Sequence, residues 1–313
     1  MSLLVRPFTT NDYDAVATVS AAVNESTPDP EHWRWEDTNR DPKCLCARWV
    51  AEWDGRVVGF SEYAQYPHKY HPRKFGVEVL VLPEFRSKGI GSALWMALRE
   101  GLRTHDPLTL TTGVREHWEA GLRFAQQRGF AERMRSWESH LDLTRFDPSL
   151  YADRVEGYQI RSYADLVGHP GFFEKLYELV QTVRMDVPSS EPLTVVPYES
   201  WLKSLQSNPE LWPQGYLIAT KGDEWVGVST LWTLSEEGLL KTGLTAIRRE
   251  HRGTGIAKAL KVRALATAKE AGYKLVKTWN ASNNERMLAI NLQLGFERKP
   301  AWVTFHLKVK DEE

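Results

Sequence analysis

Two short glycine-rich phrases carry the chemistry most legible in this chain. Arg86-Ser87-Lys88-Gly89-Ile90-Gly91 and Arg252-Gly253-Thr254-Gly255-Ile256-Ala257 share the pattern R-x-x-G-x-[G/A]. Each follows an apolar, strand-like run and opens a helix-like run. Without a Cβ at Gly89, Gly91, Gly253 or Gly255, the backbone can approach a ligand closely. The turn then presents N–H groups, beside the positive end of the following helix, to an anion such as a pyrophosphate. The dipole contributes only about 0.3–1 kcal/mol when exposed, so directed hydrogen bonds must supply most of the affinity. A Walker motif, G-x-x-x-x-G-K-[ST], is absent. A dinucleotide fingerprint would need G-x-G-x-x-G inside a parallel βαβ series, whereas hairpin signals dominate here. The alternative is a plain glycine turn with no ligand, a reading that the duplication weakens.

The two phrases lie 166 residues apart, as do Gly129-Phe130 and Gly295-Phe296, and His140 and His306. The hairpin signals around Asp54-Gly55 and Gly222-Asp223 repeat at nearly the same spacing. An ordered series of matches at domain-sized offset indicates a duplicated domain. The elements follow the same order in each copy. Leu3–Phe8 reads as a strand, Asn11 as the cap of the next helix, Trp49–Tyr63 as a hairpin and Val77–Leu82 as the strand before the turn. A helix over Gly91–Arg103, a strand over 108–114, a helix over 117–128 and a last strand over 136–143 complete the copy. The second copy repeats this as 158–163, 171–183, the hairpin 216–231, 239–247, 255–271, 275–280, 284–294 and 302–308. The fold class expected is α/β: two tandem domains, 1–145 and 158–313, joined by a linker at 146–157, each a mixed, mostly antiparallel twisted sheet flanked by helices.

Composition narrows the function classes. With 40 basic and 41 acidic residues the formal net charge is −1, so nucleic acid is not an expected partner and no polybasic membrane anchor is present. No apolar run approaches the roughly 18–20 residues of a bilayer span, the first ten residues already read as a strand, and a cytoplasmic location is expected. Cys44 and Cys46 are the only cysteines; two thiols without further ligands predict no metal site.

At these residues the chain resembles a tandem member of the GNAT superfamily of acetyl-CoA-dependent N-acetyltransferases, over nearly its whole length. The resemblance implies that residues 86–91 with Ser92, and 252–257 with Lys258, hold the CoA pyrophosphate. It also implies that a bulged strand before each turn lends backbone groups around Val81 and Ile247 to the pantetheine. The second copy matches the downstream signature Asn284-Glu285-Arg286-Met287-Leu288-Ala289-Ile290-Asn291, in which Asn284 contacts the cofactor. In the first copy Trp118 stands in place of Asn284 and Ala125 in place of Asn291. The second half is therefore expected to be the catalyst.

The reaction implied is direct attack of a small-molecule primary amine on the thioester of acetyl-CoA. Many relatives use a tyrosine seven residues after the asparagine as general acid; Asn291 and Ala125 occupy that position here, and Asn291 is grouped with the cofactor contacts. Candidate catalytic residues are Glu78, on the strand entering the first turn, Asp186, in a loop after the first helix of the second copy, and His306 on the last strand. Each has a plainer reading: a surface charge for Glu78, a turn or cap for Asp186, a core histidine for His306 or its counterpart His140. Trp302 and Phe305 are read as strand core or pocket wall. A non-catalytic acyl-CoA-binding protein and a duplicated scaffold are the competing functions; a monomer or a homodimer is expected.

Overall fold

The protein is described by a computed structural model covering residues 2–310. In chain order the elements are β1 (Leu3–Pro7), α1 (Tyr13–Asn24), α2 (Pro30–Thr38), β2 (Cys46–Trp53), β3 (Arg56–Ala64), β4 (Lys74–Val81), α3 (Ile90–Leu102), β5 (Thr109–Arg115), α4 (Glu119–Gln126) and β6 (Ala131–Asp142). The second half contributes β7 (Gln159–Ser162), α5 (Tyr163–Leu166), α6 (Phe172–Arg184), α7 (Tyr198–Ser207), β8 (Leu211–Lys221), β9 (Glu224–Thr233), β10 (Leu239–Ile247), α8 (Ile256–Glu270), β11 (Leu275–Ala281), α9 (Glu285–Gln293), β12 (Glu297–Arg298) and β13 (Trp302–Lys308). Four elements, α2, α5, α7 and β12, have no counterpart in the sequence reading. The α2 segment contains His32, Trp33, Arg34 and Trp35 and buries no residue, so no apolar stripe announces it. Asn11 does not cap α1; it lies in a 3-10 turn, Thr10–Asp12, closed by a reciprocal box between Thr9 and Asp12.

The chain forms two compact units. The first comprises residues up to 134, 191–194 and those from 303 onward; the second comprises 135–190 and 195–302. In unit 1 the strand order is β1-β2-β3-β4-β5-β13, and in unit 2 it is β6-β11-β10-β9-β8-β7 with β12 beside β6. β4 pairs with β5 and β10 with β11 in parallel; β1–β2, β2–β3, β3–β4, β6–β11, β6–β12, β7–β8, β8–β9 and β9–β10 are antiparallel. The units thus depart from the sequence division at their final strands. β13, last in the second copy, belongs to unit 1, while β6, last in the first, pairs with β11 in unit 2 along Ser136–Asp142. A repeat fixes which segments are strands, but not which open sheet edge each one closes.

Packing follows the apolar pattern. In α3, Ile90, Leu94, Leu98 and Leu102 recur every four residues and are fully or almost fully buried, the stripe expected of a helix laid on a sheet. Each such leucine stabilises its unit by about 1.5–3 kcal/mol relative to exposure. In unit 2, β8 and β9 run buried on both faces, from Tyr216 to Thr220 and from Val226 to Leu231. Leu217, Ala219 and Val226 face the cluster built on α8, and Tyr216, Ile218 and Val228 face that built on α6.

Candidate active site

Both glycine turns adopt the conformation that their sequence requires. Ser87 and Gly89 have φ of 61° and 80°, and Gly253 and Gly255 have 79° and 89°. A Cβ on Gly89 would meet nothing within 4 Å; glycine is needed there for its left-handed backbone, not for space. Gly89 and Gly255 start α3 and α8 without any side-chain cap, so the first N–H groups of each helix remain available. Arg86 Nε donates to the Val81 carbonyl at 3.3 Å and Arg252 Nε to that of Ile247 at 3.1 Å. Each arginine thereby braces its turn against the strand that precedes it.

The strands beside the turns part. β4 pairs with β5 only over Lys74–Gly76, although β4 continues to Val81 and β5 to Arg115. β10 pairs with β11 only over Leu239–Lys241, although they run to Ile247 and Ala281. Each unit therefore has a gap between its parallel strands that opens toward its glycine turn. A bulge interrupts β10 between Thr242 and Thr245, whereas β4 pairs with β3 in unbroken register from Gly76 to Val81. The bulge expected of both copies is present in the second alone.

The helix-start positions match across copies, with Trp118 preceding α4 and Asn284 preceding α9. Asn291 is 2% exposed, and its amide donates to Asn280 Oδ1 at 2.6 Å, tying α9 to β11. Unit 1 has a cation that the sequence reading missed: Arg128 donates to Ser92 Oγ at 2.9 Å in the first turn of α3 and stacks on Phe124. A guanidinium beside that helix start favours a phosphate there. Lys88 lies over Phe85 and Trp53, and Lys258 donates to Gln293. Open N–H groups, bracing arginines and parted strands together fit a CoA pyrophosphate and its arm in each unit.

The titratable groups are distributed unequally. In unit 1, Glu78 on β4 lies in register with Glu62 on β3. Burial, reinforced by the charges of Glu62 and Glu36, pushes the Glu78 carboxyl up to about 7. It has no hydrogen-bond donor among the described residues, and its side chain keeps some exposed surface. Glu62 differs: burial raises it too, but Arg48 pairs with it and also with Asp37, which Arg40 holds at 2.9 Å. The ring of Tyr66 packs over Gly76, two residues before Glu78 on the same face of β4. Although 44% of the residue is exposed, the packing around it and the charges of Glu62 and Glu78 raise the Tyr66 hydroxyl above its ordinary value, so it stays protonated. Further along, Thr111 donates to Glu191 at 2.8 Å, and Glu191 stands 4.0 Å from His306 Nε2. Burial lowers the His306 pKa, and its Nε2 has no hydrogen-bond partner among the described residues.

Glu78 and His306 thus belong to unit 1, and Asp186 to unit 2. Asp186 is bound by Arg249 and Arg252, and these hydrogen bonds, Arg249 first, hold its carboxyl far below the usual range. It serves as an anchor for the arginine of the second glycine turn. His140 bonds to Glu138 at 2.7 Å, and Glu138 also accepts from the indoles of Trp279 and Trp302. Phe305 is core in unit 1. Sequence reasoning missed Glu62, Tyr66, Glu191 and Arg128; only the alternation on β3 offered a hint, and only for Glu62. Both cysteines are free thiols. Among the described residues no group of His, Cys, Asp and Glu is arranged to hold a metal, and no helix is long and apolar enough to cross a membrane.

The family model for the acetyltransferase (GNAT) family matches the chain twice, at residues 11–130 and 174–296. No curated protein sequence matches. Among solved structures, a tandem GNAT protein from the clavulanic acid biosynthesis pathway is 24% identical with a TM-score of 0.79, covering 100% of both chains. A GCN5-related N-acetyltransferase from Sphaerobacter thermophilus is 21% identical with a TM-score of 0.76, covering 99% of this chain and 97% of its own. At these identities the likeness shows the fold alone, but the twofold family match covers most of the sequence. The chain belongs to the GNAT acetyltransferase family and is a tandem of two such domains.

Proposed function

We propose that the protein is an N-acetyltransferase that moves the acetyl group of acetyl-CoA to a primary amine of a small molecule, and that unit 1 carries the reaction. The sequence signature favours the second half as catalyst; the titratable groups favour the first. The observation that carries the reading is Glu78: a carboxyl without a donor, raised to about 7, on the strand that leads into a glycine turn. A free alkyl amine, with a pKa near ~10.4, is mostly protonated at neutral pH. A carboxylate attracts such a cation and, at a pKa near the working pH, can take its proton as the nitrogen attacks. Glu36 adds its negative charge to that of Glu78, while Glu62 and Asp37 are offset by Arg48 and Arg40, and the cations Lys69, Lys74 and Arg133 lie further off, around His306 and Glu191. That excess suits a cationic acceptor.

Acetyl-CoA supplies the activated acyl group; no metal is required. In this reading the turn at Arg86–Gly91 and Arg128 orient the donor, Glu78 accepts the amine proton, and Tyr66 offers an O–H that can return a proton to the departing thiolate. Most of the acceleration then comes from orientation. Unit 2 binds CoA through residues 252–258, with Asn284 contacting the cofactor, and lacks a comparable base. The protein acts in the cytoplasm as a monomer or homodimer, without nucleic acid.

The test is thiol release from acetyl-CoA across a panel of primary amines and diamines, with calorimetry of acetyl-CoA binding alongside. Turnover that Glu78→Gln abolishes while binding persists supports the reading. Absence of acetyl-CoA binding removes it altogether, and turnover indifferent to Glu78→Gln removes unit 1 as the catalyst.

A further inference from the structure

Unit 2 contains a cavity of about 290 Å³ lined by residues of α6, α7 and the sheet, among them Trp201, Leu205, Tyr216, Trp232, Gly243 and Leu244. Its position is informative. Gly243 and Leu244 form the bulge of β10, on the stretch where β10 no longer pairs with β11. The bulge is fixed from behind: Thr230 Oγ1 accepts from both Leu244 N and Trp232 Nε1, at 2.9 and 3.0 Å. Glycine at 243 is dictated by this contact, because a Cβ would stand 2.2 Å from Trp232 Nε1. The cavity is therefore a built feature beside the gap that would carry the CoA arm.

Its chemistry is opposite to that of the carboxylate-lined face in unit 1. No charged side chain lines it, so it offers no carboxylate to pair with an ammonium group or to take its proton. Tyr216 is 4% exposed and lines the cavity, yet its hydroxyl makes no hydrogen bond with a described residue. That hydroxyl is therefore free to donate to a ligand oxygen in the cavity that its residue lines.

We propose that this cavity receives the uncharged acyl group of a CoA thioester longer than acetyl, an alkyl or aryl chain, with the Tyr216 hydroxyl donating to an acyl oxygen. The inference rests on the reading of the second glycine turn as a CoA site. Apolar cavities of roughly 150 Å³ already accommodate a benzene-sized molecule, so a six-carbon chain fits without displacing the core. Acetyl would leave most of the aromatic wall uncovered.

The test measures acetyl-CoA and hexanoyl-CoA binding by calorimetry in full-length protein carrying Gly89→Val, which removes the unit 1 turn. Hexanoyl-CoA is expected to bind at least ten-fold more tightly than acetyl-CoA. Ser204→Phe, or Val180→Phe if the first does not fold, should erase that preference while leaving acetyl-CoA binding intact. Tyr216→Phe should weaken hexanoyl-CoA several-fold. Equal affinities, or a preference that survives the filled cavity, overturn the proposal alone. If neither thioester binds, the CoA reading of unit 2 falls and this inference with it.

Discussion

Replacing Glu78 by glutamine should make the protein worse at catalysis and better at staying folded. The carboxyl is raised from 4.5 to about 7, first by burial and then by Glu62 and Glu36. Below pH 4.5 the group is protonated in both folded and unfolded chains and costs nothing. Between 4.5 and 7 the unfolded chain releases its proton while the folded one keeps it, so stability falls as pH rises. Above 7 the penalty is complete. At 1.36 kcal/mol per pKa unit the ceiling is about 3 kcal/mol, and residual exposure of the side chain brings the expected value to roughly 1–2 kcal/mol. Glutamine is neutral at every pH and nearly the same size, so Glu78→Gln should unfold later than wild type at pH 8 and alongside it at pH 4.5.

Catalysis should move the other way. Loss of a general base costs about 10²–10⁴-fold, and in wild type kcat/KM should rise with pH through about 7 as Glu78 ionises. Thermal or urea unfolding at the two pH values, with pH–rate profiles of both proteins, tests the two halves of the argument. A stability difference independent of pH would refute the assigned ionisation. Full activity of the variant, or a wild-type profile flat through 7, would refute the role.

Other perturbations separate the remaining assignments. Tyr66→Phe should lower kcat with little change in KM, because its hydroxyl is assigned to the departing thiolate; equal losses in both would place it in acceptor binding. Asp186→Asn should leave the pH–rate profile unchanged, since Arg249 and Arg252 keep that carboxylate ionised throughout the working range. Calorimetry should count two acetyl-CoA sites in wild type, one in Gly89→Val and one in Gly255→Val, because a β-branched residue is strained at φ of 80° or 89°. Lys261 in α8 is 3% exposed, and burial lowers its amine to about 8. Wild-type stability should therefore rise between pH 8 and 10.5 as the folded chain sheds this proton first. Lys261→Met should remove that slope and gain up to about 3 kcal/mol at pH 7, read by urea unfolding.

What the sequence discloses follows the range of the interactions concerned. The turns at 86–91 and 252–257 are local: glycine at 89 and 255 answers a backbone requirement within six residues, and the spacing of the two copies repeats it. The group of side chains around Glu78 is not local. Glu62, Tyr66, Glu78, Thr111, Glu191 and His306 come from four strands and two loops spread over most of the chain, and no window contains more than a few of them. Glu191 and His306 fall in the second copy by spacing yet belong to unit 1. Asp186 has the opposite history. Its loop position made it a candidate catalytic residue, but the partners that decide its role, Arg249 and Arg252, lie more than sixty residues away.

The two halves solve the same backbone problem and then diverge in what they set against it. Both keep an open helix start, a bracing arginine and parted parallel strands. Unit 2 adds the β10 bulge and Asn284, then lines the adjoining cavity with Trp201, Tyr216 and Trp232 and no charged side chain. Unit 1 lacks both additions, but it places Arg128 at the start of α3 and a raised, unpaired carboxyl at Glu78. An amine acceptor needs a base more than it needs a bulge, because orientation can be supplied by several groups whereas the proton must go to one. Burying Glu78 costs stability, and a purely structural repeat would gain by replacing it with a neutral residue. Its presence on the strand that enters the first turn is therefore the strongest reason to look for turnover in unit 1.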